Sequence, residues 1–413
     1  MDLRELVFYF DFLKLIVPFV GSLVVQKAQS VVHKFTYRPS SKPLNVIVVG
    51  GSFAGSVVAQ RLAHTLPSGY RVILIEKNTH FNYVFGFPRN AVFTGREHHA
   101  FIPYDNLAAG TPDGVFHQIC DEVTDVTDEV VITLDGLSLA YEYLVISTGA
   151  DQPTPARLHA RSKDDAIEEL RGFQDRITNA DRIAVIGGGA VGIELATEAK
   201  ARHPEKTITL IHSRQQLLPR FGPKLHGHVL AELQSQGIEV LLGERPAYPS
   251  DAGQAVQETV LTFANGETKT FDLVIPCIGQ RPRSDLLKSY SPKSIADSGE
   301  IRVKPTLQVD NLSPNQQNVF AVGDVAQSGG VKQGRAGHMQ AEIAVQNILQ
   351  LIKGGSASKK YVPHWFENTL QLTLGKKLSI MYVQKGDYEF LKETKGADED
   401  VGVQKMKWHL NTK

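Results

Sequence analysis

Leu44-Asn45-Val46-Ile47-Val48-Val49 leads straight into Gly50-Gly51-Ser52-Phe53-Ala54-Gly55, and the reading of these twelve residues decides the fold. The unbroken β-branched run has the character of a strand buried on both faces, as in a parallel sheet. The glycine turn then opens a helical stretch, Ser56 to Leu66. Set against G-x-G-x-x-G, Gly50 and Gly55 fill the outer positions and Ser52 the middle one. A side chain as small as serine still lets backbone approach a pyrophosphate there, and its hydroxyl is a donor to phosphate. Arg71-Val72-Ile73-Leu74-Ile75 is the next strand. It ends in Glu76, about 20 residues past Gly55, the spacing at which an acid receives a ribose hydroxyl. Gly51, Phe53, Ala54 and Lys77 belong to the same candidate cofactor site. Strand, turn, helix, strand and acid in that order describe a dinucleotide-binding unit.

The pattern restarts after Asp181. Arg182-Ile183-Ala184-Val185-Ile186 is a strand, and Gly187-Gly188-Gly189-Ala190-Val191-Gly192 carries glycine at all three required places, 187, 189 and 192. A helix from Ile193 to Ala201 follows, with Glu194 in its first turn, and then the strand Thr207-Ile208-Thr209-Leu210-Ile211. Where the first unit has Glu76, this one has His212, with Ser213 and Arg214 behind it. A carboxylate there accepts from a free 2′-hydroxyl and repels a 2′-phosphate. Donors and positive charge suit the phosphate, so the second site is expected to take NADPH as well as NADH.

The 413 residues balance 44 Lys+Arg against 44 Asp+Glu, with 42% hydrophobic and 21% charged residues. That is the composition of two or three folded domains, neither disordered nor multi-spanning. Zero net charge removes the long-range attraction a nucleic-acid binder needs, so no nucleic-acid partner is expected. Two isolated cysteines, Cys120 and Cys277, make neither a metal cluster nor a redox pair, which leaves no metal site and points to a reducing, intracellular setting. Leu6 to Val25 is mostly apolar, with charges only at Asp11 and Lys14. Its uncharged part, from Leu15, is about half of the roughly 20 residues a spanning helix needs. The expectation is a helix lying in a membrane interface, with Asp11 and Lys14 paired on one side.

Three later segments carry a resemblance. Tyr143-Leu144-Val145-Ile146 followed by Ser147-Thr148-Gly149-Ala150 resembles the turn by which two-dinucleotide-domain flavoproteins return to their FAD. Asp272-Leu273-Val274-Ile275-Pro276-Cys277-Ile278-Gly279 resembles the segment that closes their NAD(P)H domain. Asn318-Val319-Phe320-Ala321-Val322-Gly323-Asp324 resembles the late FAD motif, whose Asp accepts from the ribityl chain. The stretch Ser56 to Leu66 lacks the CxxxxC pair of the disulfide reductases. With Phe81-Asn82-Tyr83-Val84-Phe85-Gly86-Phe87-Pro88-Arg89 and Gly192-Ile193-Glu194, the chain resembles the apoptosis-inducing-factor-like family that includes ferroptosis suppressor protein, and more distantly the type II NADH dehydrogenases.

The resemblance implies an α/β chain of two Rossmann-like domains: an FAD domain over 43–153 and 285–354, an inserted NAD(P)H domain over 154–284, and an α+β C-terminal segment over 355–413, behind the apolar N-terminus 1–42. It implies FAD as cofactor and NAD(P)H as co-substrate, with hydride passing to the flavin and electrons on to a quinone or similar acceptor. In the same terms Arg89, Thr148, Gly149, Gly279 and Asp324 are cofactor residues, and Glu194 is the candidate catalytic residue, orienting flavin and nicotinamide. The segment Trp365–Gly375 would line an acceptor entrance or form a half-buried strand. The membrane would be the mitochondrial outer membrane, a lipid droplet or another cytoplasmic membrane face. A redox-sensing or cell-death effector, turning over slowly and acting through partners, is the alternative.

Overall fold

The computed structural model describes residues 3–313, 316–396 and 401–412. Two parallel sheets organise them. The first has five strands in the order Val319–Ala321, Tyr143–Ile146, Leu44–Val49, Tyr70–Glu76 and Phe116–Cys120. The second has four, in the order Leu273–Pro276, Arg182–Ile186, Thr207–His212 and Glu239–Leu242. In each unit the glycine-turn strand lies between the strand that follows it and the strand that closes the unit. The same winding is therefore used twice, as in paired Rossmann-like domains. Val46, Ile47, Val48, Ile183, Ala184 and Val185 are all fully buried. Helices cover both faces of such a sheet, which is why these strands read as continuous apolar runs.

The helices after the two turns are Phe53–Ala63 and Ala190–Arg202. Each begins three residues earlier than the sequence pattern suggests, because the last glycine sits inside the first helical turn. A third helix, Gly334–Ile352, crosses the first at Ala54, whose Cβ would be 3.2 Å from a Cβ placed on Gly337. A short antiparallel ribbon, Ala150–Asp151 with Arg281–Pro282, connects the two units.

The strands Leu370–Thr373, Leu378–Lys385 and Tyr388–Lys395 form an antiparallel sheet, followed by the helix Val403–His409. Leu370, Leu372 and Leu374 are buried and join the core of the second unit, so the period-two alternation describes a half-buried strand. Tyr382 on the next strand accepts the Gly222 N–H at 3.0 Å.

The N-terminal helix differs most from expectation. It runs from Leu3 to Thr36, 34 residues and about 50 Å at the α-helical rise. Its Val7–Thr36 stretch is long and apolar enough to cross a membrane by length and composition. However, it is tied to the protein body near both ends. Phe8 is only 5% exposed and packs against Trp365, Tyr388 and Phe390, with ring centroids 5.3, 5.3 and 5.6 Å away. Asp11 pairs with Lys14 at 3.6 Å, as its spacing predicts, and also with Lys385. Towards the other end Gln26 donates to Glu342 at 3.2 Å, and His33 Nε2 lies 2.7 Å from the Leu66 carbonyl. The helix is thus held to the body at two places and is mostly exposed between them. Its outer face carries Phe10, Leu13, Val17, Val20 and Val24, at helical spacing and 50–67% exposed.

Candidate cofactor and redox site

The two glycine turns are built alike. Gly50 and Gly187 adopt φ of +96° and +131°, which only glycine takes up readily. Gly50 N–H donates to the Ile75 carbonyl at 2.8 Å, and Gly187 N–H to the Ile211 carbonyl at 2.8 Å. A Cβ on Gly55 would run into the Gly50 carbonyl oxygen, and one on Gly192 into that of Gly187. By contrast, a Cβ on Gly189 would meet nothing within 4 Å. Its counterpart Ser52 starts the first helix with extended backbone and without capping it. Each turn thus presents a helix N-terminus beside open space, the arrangement that receives a pyrophosphate. Phe53, also in the first turn, packs edge-on against Phe81 and tilted against Phe85, with ring centroids 5.0 and 4.9 Å away.

The ribose positions differ in chemistry. Glu76 Oε2 accepts the Gly51 N–H at 2.6 Å, and Oε1 accepts from the Asn78 backbone and side chain at 2.9 and 2.7 Å. In the second unit His212 Nδ1 accepts the Gly188 N–H at 3.1 Å. That bond fixes the neutral ring's proton on Nε2, which is buried without a hydrogen-bond partner. Burial lowers the His212 pKa, Arg214 adds to the effect and the Gln216 backbone opposes it. The ring is therefore a neutral donor, and the positive charge expected beside it comes from Arg214, exposed next to Ser213.

Lys77 is in a crowd of cations. Burial, then Arg283 and Arg157, brings its pKa down to about 8, against Glu122 and Glu76. Glu122 takes Lys77 at 3.9 Å, Arg283 at 2.6 Å and Arg161, while Arg157 pairs with Asp151 at 2.7 Å. Thr148 and Gly149 anchor the same corner: Thr148 Oγ1 donates to the Arg283 carbonyl at 2.6 Å, and Arg283 N–H donates to the Gly149 carbonyl at 3.0 Å. Gly149 and Gly279 mirror each other at the connecting ribbon, with φ of +69° and +65°. The sequence reading did not find Asn78, Glu122, Arg157, Arg161 or Arg283. Only tertiary folding gathers them, from positions spread over two hundred residues.

Asp324 stands on a 3-10 turn, Gly323–Val325, at the end of the Val319–Ala321 strand. Gly323 N–H is held by Gln340 Oε1 at 2.8 Å. Burial raises the Asp324 pKa, with Lys332 and Arg220 opposing. The carboxylate is half-buried at a sheet edge, the place where α/β sheets bind ligands.

Arg89 and Glu194 are brought into one junction. Arg89 Nε and Nη2 donate to Glu198 Oε1 at 3.0 and 2.7 Å, and Nη2 also to the Gly375 carbonyl at 3.2 Å. Glu194, one helical turn before Glu198, accepts from Thr373 N–H at 3.1 Å and Oγ1 at 3.4 Å. Burial drives the Glu194 pKa up to about 8, the Thr373 backbone opposes it, and the Glu198 charge adds to the rise. Glu198 was legible in the sequence as the i+4 partner of Glu194 on one helix face. Thr373 and Gly375 carried no signal.

Residues 44–347 match the pyridine nucleotide-disulphide oxidoreductase family, and the chain belongs to it. Within that family it is of the apoptosis-inducing-factor and ferroptosis-suppressor type. It is 35% identical to Fe-regulated protein 8 of Mycosarcoma maydis, over 78% of this chain and 84% of that one. It is 30% identical to ferroptosis suppressor protein 1 of Xenopus tropicalis, over 78% and 84%. In fold it is similar to the sulfide:quinone oxidoreductase of Aquifex aeolicus, with TM-score 0.71 and 18% identity, covering 89% and 91% of the two chains. The protein is an FAD-dependent NAD(P)H oxidoreductase. The open glycine turns, with Glu76 behind one and His212, Ser213 and Arg214 behind the other, fit those two nucleotides.

Proposed function

We propose that the protein oxidises NAD(P)H at a membrane surface and delivers the electrons to a quinone or similar acceptor. The observation that carries this reading is the N-terminal helix. It is long, apolar and largely exposed, and its Phe8 packs on Trp365 and Tyr388, beside the C-terminal strands. An exposed apolar helix of this kind favours association with lipid, and an acceptor dissolved in lipid would meet the enzyme on that side. The membrane would be one exposed to the cytoplasm.

The domain division expected from the sequence forms part of the proposal. The five-stranded sheet draws its strands from 43–153 and 285–354, and the four-stranded sheet from 154–284, which supports those boundaries.

FAD, when bound, supplies the hydride acceptor and the route by which electrons leave. The chain's residues bind and orient. Gly50, Gly51, Ser52 and Gly55 cradle the FAD diphosphate, Glu76 takes the ribose, and Asp324 takes the ribityl hydroxyls. Lys77, Thr148 and Gly149 close the corner beside them. Gly187, Gly189 and Gly192 cradle NAD(P)H, while His212, Ser213 and Arg214 hold its 2′ end and Gly279 borders the same domain. Glu194 orients the reacting rings, a positioning task of the kind that supplies much of an enzyme's rate.

Anaerobic mixing of the yellow holoprotein with NADPH, and separately NADH, should bleach the flavin, and a short-chain quinone should restore the colour with turnover. Failure of both nucleotides to bleach, or no turnover with any short-chain quinone, defeats the proposal.

A further inference from the structure

The junction of Arg89, Glu194 and Glu198 joins three separate parts of the chain. Arg89 comes from the short helix Phe87–Asn90, the two carboxylates from the Ala190–Arg202 helix, and Thr373 and Gly375 from the C-terminal segment. Glu198 is fully buried and Arg89 nearly so. The two bonds from Arg89 to Glu198 land on one oxygen, Oε1, and Oε2 is buried without a hydrogen-bond partner. Among the described residues, Arg89 is the cation that bears on the two carboxyl groups, which lie one helical turn apart. The groups whose charge bears on Glu194 are Glu198, on its own helix, and Arg89, from the helix packed across it; Thr373, from the C-terminal strand, contributes only neutral donors. Glu198 is fully buried and Glu194 half-buried, so two negative charges beside one positive one would leave a charge poorly compensated there, which is unfavourable.

We propose that Arg89 is a positioning residue that acts through Glu198: it holds the negative charge there, so that the proton bound by the carboxyl pair resides on Glu194. The inference rests on the cofactor site described above but not on any acceptor. Geometry gives the order of charge. Glu198 has the guanidinium in direct contact, whereas Glu194 has only the Thr373 N–H and hydroxyl. Burial raises both carboxyls, with Arg89 opposing the rise at Glu198, and Glu194 stands at about 8. At neutral pH Glu194 is then a neutral acid able to donate a hydrogen bond, and Arg89 acts on it through Glu198.

Infrared spectroscopy of the holoprotein tests this without turnover. The wild type should show the carbonyl stretch of a neutral carboxylic acid at pH 7, sensitive to D2O and fading with a midpoint near pH 8. Glu194→Gln should remove it. Glu198→Gln, which takes away the like charge one helical turn from Glu194, should lower the midpoint by at least one unit, a tenfold loss of proton affinity. Arg89→Gln should leave both carboxyls protonated and strengthen the band, while Arg89→Lys should restore the wild-type spectrum. If Arg89→Gln does not fold, Glu198→Gln carries the test. A band absent from the wild type, one that survives Glu194→Gln, or a midpoint unmoved in Glu198→Gln overturns the proposal. Each of these results is readable even if no quinone is ever reduced.

Discussion

His212 Nδ1 accepts the backbone N–H of Gly188 at 3.1 Å, in the place where Glu76 accepts that of Gly51 in the other unit. One contact is kept and the chemistry behind it is inverted, from a negative acceptor to a neutral donor. His212→Glu should therefore turn the second site towards NADH, with NADPH losing at least tenfold in kcat/KM, about 1.4 kcal/mol. Arg214→Ala should raise KM for NADPH several-fold and leave that for NADH nearly unchanged. Steady-state kinetics with both nucleotides decide it, and equal effects on the two would refute the assignment.

The two turns should fail separately. Alanine at either position meets a carbonyl oxygen of its own turn, a backbone clash that outweighs the gain in helix propensity of about 1 kcal/mol. Gly55→Ala should purify colourless or lose FAD on dilution. Gly192→Ala should stay yellow but no longer bleach with NADPH. Absorption spectra before and after nucleotide addition distinguish the two.

Acid should destabilise the protein through buried histidines. Burial lowers His64, His80 and His409 from 6.5 to about 4. Their folded pKa lies below the unfolded one, so below about pH 6.5 the unfolded chain takes up protons that the native state refuses. Their contribution to stability is complete above that pH and declines as it falls towards 4. Urea midpoints should drop between pH 7 and pH 5. His80→Phe, replacing a ring that packs on Phe101 at 4.8 Å, should flatten that slope.

Charging the outer face of the N-terminal helix should separate membrane binding from catalysis. Val17→Lys with Val20→Lys and Val24→Lys leaves Phe8, Asp11, Gln26 and His33 in their contacts. Sedimentation with neutral lipid vesicles should fall by an order of magnitude or more, since each exposed valine gives up about 1.5 kcal/mol or more of apolar burial. Bleaching by NADPH should be unchanged. Equal sedimentation of the triple variant and the wild type counts against the lipid surface.

Local sequence was enough for the two units because their signal is local. A β-branched strand, a turn that only glycine can make, and a polar residue about 20 positions later all follow from backbone sterics and from phosphate chemistry. Asp324 was named from the resemblance of its segment to the late FAD motif, and it stands at the end of an apolar strand. Distant partners left no such signal. Arg89 pairs with Glu198, more than a hundred residues later. The N-terminal segment was read as short because its charges at Asp11 and Lys14 break the apolar run. The helix continues through them because they pair with each other and with Lys385. Spacing along the chain thus sufficed for two dinucleotide folds and for proposing where phosphate and ribose would meet them. The junction of Arg89 with Glu194 and Glu198 came only from folding, because removal of water depends on what three separate segments bring together, and no spacing along the chain records that.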